Sequence, residues 1–157
     1  MERLAETLVE TDAFVITDIE QFTALWSKTY NREGKPDWSH IIPYYDESIH
    51  FRDCIQEVRG IEEFKALTER LARRSNELSM VLKNAVMLGR LIYMEWEMTI
   101  LYRNTRSSVI YGASRILLSE QGKIIDQRDY YDLWGDIFDN IPKFNRRYRS
   151  FMKKVFG

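Results

Sequence analysis

GRLIYMEWEMTILYR, residues 89–103, is the stretch whose reading decides the fold of this chain. Ile92, Met94, Trp96, Met98, Ile100 and Tyr102 fall on one side of a period of two, and Leu91, Tyr93, Glu95, Glu97, Thr99 and Leu101 on the other. Alternation over that length requires a pleated strand, because successive side chains project to opposite faces. A face that is apolar throughout needs a covering layer of helices. The opposite face is mixed, apolar at its ends with two carboxylates in the middle, as on a surface covered by another subunit or wrapped around a cleft.

The same pattern continues through SSVIYGASRILL (107–118) and SEQGKIIDQRDYYD (119–132). It predicts successive antiparallel strands, with turns at Asn104–Arg106 and Ser119–Gly122, where Gly122 can supply a positive φ. Upstream, residues 3–12 are expected to form a short helix. Thr17 and Glu20 have the spacing of a capping box, ahead of a helix carrying Phe22, Leu25, Trp26 and Thr29 as its buried stripe and ending near Asn31–Gly34. KPDWSHIIPYYDES (35–48) holds a short helix broken around Pro43. Ser48–Cys54 reads as a strand and Glu57–Gly60 as its turn. IEEFKALTERLARRSNEL (61–78) is the next helix, buried along Ile61, Phe64, Leu67 and Leu71, and Leu78–Met87 is a further strand.

At 157 residues the chain is expected to be one domain, 1–157, with a real core. A net charge of −1 gives no general attraction to nucleic acid or to an acidic membrane, and neither is expected as a partner. One cysteine, Cys54, and two histidines, His40 and His50, exclude a disulfide framework and a multi-histidine metal site. No P-loop, dinucleotide fingerprint or zinc signature occurs, so no cofactor or metal is expected. No stretch is apolar for the length of a bilayer, and MERLAETLVETDAF lacks the pattern of a signal peptide. A cytoplasmic protein is the expectation.

YYDESIHFRD (44–53), RGIEEF (59–64), LIYMEWEMTI (91–100) and GKIIDQRDYYDL (122–133) together resemble the SnoaL-like branch of the NTF2-like, or ketosteroid-isomerase-like, superfamily, over about residues 18–133. The resemblance implies an α+β, cone-like fold: a highly curved antiparallel sheet packed over three N-terminal helices, with a ligand pocket inside the cone. It also implies homodimers paired through the sheet, and a small apolar ligand in the pocket. Such folds host isomerases, cyclases, epoxide hydrolases, dehydratases and non-catalytic modules, so function has to be argued from the site.

By this resemblance the isomerase general base falls on Asp53, while the positions of its two hydrogen-bond donors fall on Phe22 and Met98, which cannot donate. The terminal-strand aspartate of the epoxide hydrolases falls on Asp129, and their other two catalytic positions on Trp96 and Met98. In SnoaL-like cyclases the same aspartate is the acid/base group, assisted by a histidine, for which His50 is the candidate. The expected enzyme is cofactor-free, an isomerase, cyclase or dehydratase acting on a small apolar carbonyl or polycyclic compound. Asp129, His50 and Asp53 are its candidate catalytic residues. Arg52, Trp26, Trp96, Met98, Tyr130 and Trp134 are candidates for holding the substrate. The alternative is a binding or association module of the same fold without turnover.

Each candidate also has an ordinary structural reading. Asp129 could pair with an arginine such as Arg115 or Arg128, and Asp53 could cap a turn. His50 and Arg52 could pair with an acid on a neighbouring strand. From Lys143 to Lys154 there are six basic residues and no acidic one, with Phe144, Tyr148, Phe151 and Val155 at helical spacing. This basic helix, expected over 143–155, could cover the pocket mouth or cross a dimer.

Overall fold

The computed structural model describes residues 14–30, 36–102, 107–137, 141 and 143–157. The helix expected over 3–12, the helix end near Asn31–Gly34 and the turn at Asn104–Arg106 lie outside these residues.

Helix α1 spans Ile19–Thr29, strand β1 Tyr45–Arg52 and strand β2 Glu57–Arg59. Helix α2 spans Ile61–Arg74, followed by β3 (Ser75–Leu88), β4 (Leu91–Tyr102), β5 (Ser108–Leu118) and β6 (Ile124–Tyr131). A 3₁₀ turn, Ile42–Tyr44, precedes β1, a single π-helical turn, Leu133–Ile137, follows β6, and α3 is Phe144–Phe156. The six strands form one sheet in the order β2-β1-β6-β5-β4-β3.

β3 to β6 make the antiparallel meander that the alternating segments predict. Ile92, Met94, Trp96 and Ile100 are buried on one face of β4, while Tyr93 and Glu95 are exposed on the other. Phe22, Trp26 and Thr29 are the buried stripe of α1, and Phe64, Leu67 and Thr68 that of α2. α1 packs on β3 and α2 on β1 and β3.

The expected cone of antiparallel strands over three N-terminal helices is corrected in three respects. The sheet is mixed, because β1 runs parallel to β6. It is open, with β2 and β3 as its edges, and is not strongly curled. The helices are spread along the chain: α1 precedes the sheet, α2 lies between β2 and β3, and α3 follows β6. Local alternation specifies hairpin neighbours, whereas the pairing of β1 with β6 joins segments more than seventy residues apart and leaves no local mark. An apolar sheet face can also be covered by helices from any point in the chain.

Smaller differences have local causes. The residue capping α1 is Asp18, whose carboxylate accepts from the Gln21 N–H at 2.7 Å, while the Gln21 side chain accepts from the Thr17 N–H at 2.8 Å. The capping box is therefore moved on by one residue from Thr17–Glu20. Glu57–Arg59 is a short edge strand on β1 rather than a turn. Gly122 has the expected positive φ, +88°, in the turn before β6, and a side chain there would press on the Ile16 carbonyl.

Candidate active site

Strand alternation places Gln127, Asp129 and Tyr131 on the helix-covered face of β6, where all three line a cavity of about 230 Å³. Trp26 and Tyr30 from the α1 end, Phe64 and Leu67 from α2, Trp96 and Met98 from β4, and Ile110 from β5 form most of its wall.

Two hydrogen-bond chains end on Asp129. The buried Trp96 indole N–H donates to the Ser114 hydroxyl at 2.9 Å, which donates to Asp129 Oδ1 at 2.6 Å. The buried Tyr45 hydroxyl donates to Gln127 Oε1 at 2.8 Å, and the Gln127 amide N–H donates to the same Asp129 Oδ1 at 3.1 Å. Every donor in both chains points towards the carboxylate. Among the described residues nothing donates to Oδ2, which leaves that oxygen to the cavity.

Burial pushes the Asp129 carboxyl up from 3.8 to about 6; the Ser114 and Gln127 hydrogen bonds oppose the rise, and the nearby Asp53 charge adds to it. Burial, with the Asp129 charge second, also holds the phenols of Tyr30 and Tyr45 well above their ordinary range. These groups therefore stay protonated, as donors, across the physiological range. The Tyr30 hydroxyl makes no hydrogen bond among the described residues, although its ring lines the cavity.

The carboxylate's setting depends on one glycine. Gly112 lies opposite Trp96 across β4 and β5, and any side chain there would overlap the Trp96 ring. The indole thus lies flat over Gly112, and its N–H reaches Ser114, the next residue of β5 on the same face.

Five of the sequence candidates, Asp129, Asp53, Trp26, Trp96 and Met98, meet in this cavity. Asp53 is at the end of β1, where Oδ1 accepts from the N–H groups of Ile55 and Gln56 and Oδ2 from the Tyr131 hydroxyl at 3.3 Å. The other four candidates are elsewhere. In the parallel register His50 faces Asp126 and Arg52 faces Arg128, so both side chains leave the sheet on the face opposite Asp129. His50 lies between Glu57 at 2.6 Å and Asp126 at 3.3 Å, and Asp126 also binds Arg52 and Arg115. Tyr130 is exposed beside the Arg128 guanidinium on that outer face. Trp134 stacks on Phe144 and Tyr148 of α3, and no residue of α3 lines the cavity.

Sequence reasoning missed Tyr30, Tyr45, Ser114 and Gln127. Alternation along β6 puts Gln127 on the face of Asp129, and Ser114 is one of two serines, with Ser108, in the inward run of β5. Tyr30 continues the line Phe22–Trp26 by four residues, which is a detectable helical signal. Among the described residues no three His, Cys, Asp or Glu side chains gather as a metal site. No helix among them is long and apolar enough to cross a membrane.

A family model for the SnoaL-like domain matches residues 19–127, from the first residue of α1 to Gln127 beside Asp129. The chain belongs to the SnoaL-like family. Comparison with curated proteins finds no match. Among solved structures, this SnoaL-like chain is similar to a protein with a ketosteroid isomerase-like fold from Catenulispora acidiphila, crystallised with trimethylamine. The two are 11% identical with a TM-score of 0.67, over 78% of this chain and 94% of that one. It is also similar to an epoxide hydrolase of the LEH-like type from M. tuberculosis, at 14% identity and a TM-score of 0.62, over 83% and 90%. A third similar structure, assigned as a SnoaL-like polyketide cyclase from Jannaschia, is 17% identical with a TM-score of 0.64, over 82% and 99%. At these identities the likeness shows a shared fold.

Proposed function

We propose that this SnoaL-like protein is a cofactor-free acid/base enzyme in which Asp129 moves a proton to and from carbon next to a carbonyl group. The observation that carries this reading is the convergence of both hydrogen-bond chains on one oxygen of Asp129. A carboxylate fixed through Oδ1, with Oδ2 towards an apolar cavity and a pKa near 6, suits a general base at neutral pH.

The step is a proton abstraction. Asp129 Oδ2 takes a proton from the α-carbon, and the C–H electron pair moves to the carbonyl oxygen as an enolate. The Tyr30 hydroxyl donates to that oxygen, the role for which the positions of Phe22 and Met98 offered no donor. Asp129 then returns its proton, either to another carbon, giving isomerisation, or to the alkoxide formed when the enolate carbon attacks a second carbonyl, giving cyclisation. Trp26, Trp96 and Met98 provide the wall for an apolar substrate, and Asp53 holds Tyr131 in place. His50, Arg52, Tyr130 and Trp134 have no part in the step, because they stand outside the cavity. Pairing of two copies through the outer sheet face completes the proposal.

The reaction can be read without knowing the natural substrate. Small aryl ketones incubated with the protein in D2O would exchange their α-protons for deuterium, followed by NMR. Wild type is expected to accelerate exchange, and Asp129→Asn to lose about a hundredfold or more of that acceleration. Equal exchange by the two proteins would remove Asp129 from the chemistry.

A second reading, a binding module without turnover, is favoured by the apolar residues Trp96 and Met98 at the positions where the resemblance to epoxide hydrolases puts further catalytic groups. It predicts tight ligand binding that survives Asp129→Asn, with no exchange by wild type.

A further inference from the structure

Two arginines on α2 open into the same cavity as Asp129 and, among the described residues, lack acidic partners. Arg70 and Arg74 are one helical turn apart, share a face and both line the cavity. Like charges at this spacing repel, and an acid one turn away is the usual relief. Among the described residues, the ion pair on α2 is that of Lys65 with Glu62, and no carboxylate reaches either arginine. The two carboxylates of the cavity wall, Asp53 and Asp129, are already held by other donors.

The cavity is therefore graded. Arg74 is exposed and Arg70 half-buried, whereas Trp96 and Gln127 beside Asp129 are buried. With Ile55 and Gln56 the two arginines make up the more exposed part of the lining, and Phe64, Leu67, Ile100 and Ile110 form apolar wall. A neutral polycyclic compound would cover two guanidinium groups with hydrocarbon and strip their water without replacing it, which is unfavourable. A carboxylate would accept their planar N–H forks in the geometry that guanidinium groups favour.

We propose that Arg70 and Arg74 select substrates with an anionic end, so that the compound class is an apolar keto acid. Its carboxylate meets the two arginines, its hydrocarbon body lies along the apolar wall, and its carbonyl reaches Asp129. This rests on the reading of Asp129 as the proton-transfer group, but its own observable is binding.

The probes are 4-(2-naphthyl)-4-oxobutanoate and its methyl ester, which differ by one charge at neutral pH. Binding is read from the fluorescence of Trp26, Trp38 and Trp96, all in the cavity wall. Wild type is expected to bind the acid about tenfold or more tighter than the ester. The double variant Arg70→Gln, Arg74→Gln is expected to bind both alike, with thermal unfolding confirming that it folds. Asp129→Asn keeps the preference for the acid even though proton exchange fails, so the two readings can fall separately. In wild type the acid's advantage should also shrink as salt is added, a measurement that does not depend on any variant. An acid bound no better than the ester, or not bound, overturns the proposal. So does a preference that survives in the double variant or is unmoved by salt.

Discussion

Asp129 illustrates what one residue costs and what it gains. Burial raises its carboxyl from 3.8 to about 6, so the folded protein binds a proton more readily than the unfolded chain. Linkage then makes its contribution unfavourable where it is charged. Below 3.8 the group is protonated in both states and imposes no penalty; as pH rises through about 6 the stability it carried as the protonated acid is lost. Asp129→Asn keeps an oxygen for Ser114 and Gln127 but cannot ionise. Relative to wild type, its stability should therefore improve between pH 4 and pH 7, by at most about 3 kcal/mol, while its activity is lost. Urea unfolding at several pH values reads this directly, and a difference that does not change with pH would show that Asp129 is not buried as a charge. At this scale the sequence told much about Asp129, because alternation along β6 fixed its face. His50 and Arg52 alternate with the buried Ile49 and Phe51 along β1 and so stand on the outer face, an alternation that grouping them with Asp129 did not use.

The pairing of β4 with β5 joins a single glycine to the chemistry. Trp96 covers Gly112, and its N–H starts the chain to Asp129 through Ser114. Gly112→Ala would put a methyl group into the ring, and the strand is too well paired on both sides to move away. Overpacking of this kind costs about 1–3 kcal/mol, here with a second effect, the displacement of the indole from Ser114. The expected result is a lower thermal midpoint together with a change in tryptophan emission. A variant as stable as wild type, with unchanged emission, would show that the ring has room to shift. The elements themselves were largely legible: the long alternation of β4, the stripes of α1 and α2, and the SEQG turn with its positive φ at Gly122. The start of α1 and the strand β2 were not. Asp18 competes with Thr17 for the cap through its own hydrogen bond, and three residues of an edge strand are too few to show a period.

For the whole molecule, the face of the sheet turned away from the cavity poses the remaining question. Val81, Val86, Tyr93, Val109 and Tyr111 are exposed there, and the strand pairing brings Val86 next to Tyr93, and Tyr111 and Val81 to either side of Glu97. These side chains, spread over three strands around Glu95 and Glu97, are the surface that the proposed homodimer would cover. Tyr93→Glu with Tyr111→Glu would add two charges beside Glu95 and Glu97, so that two copies meeting through this face would bring like charges together. Sedimentation velocity is expected to give a dimer for wild type and a monomer for the double variant. Alternation sends these side chains away from Asp129, so the monomer should still bind the keto acid probe. Wild type sedimenting as a monomer at micromolar concentration would remove this face as the contact. Loss of probe binding on dissociation would mean that the cavity depends on the second copy for its shape.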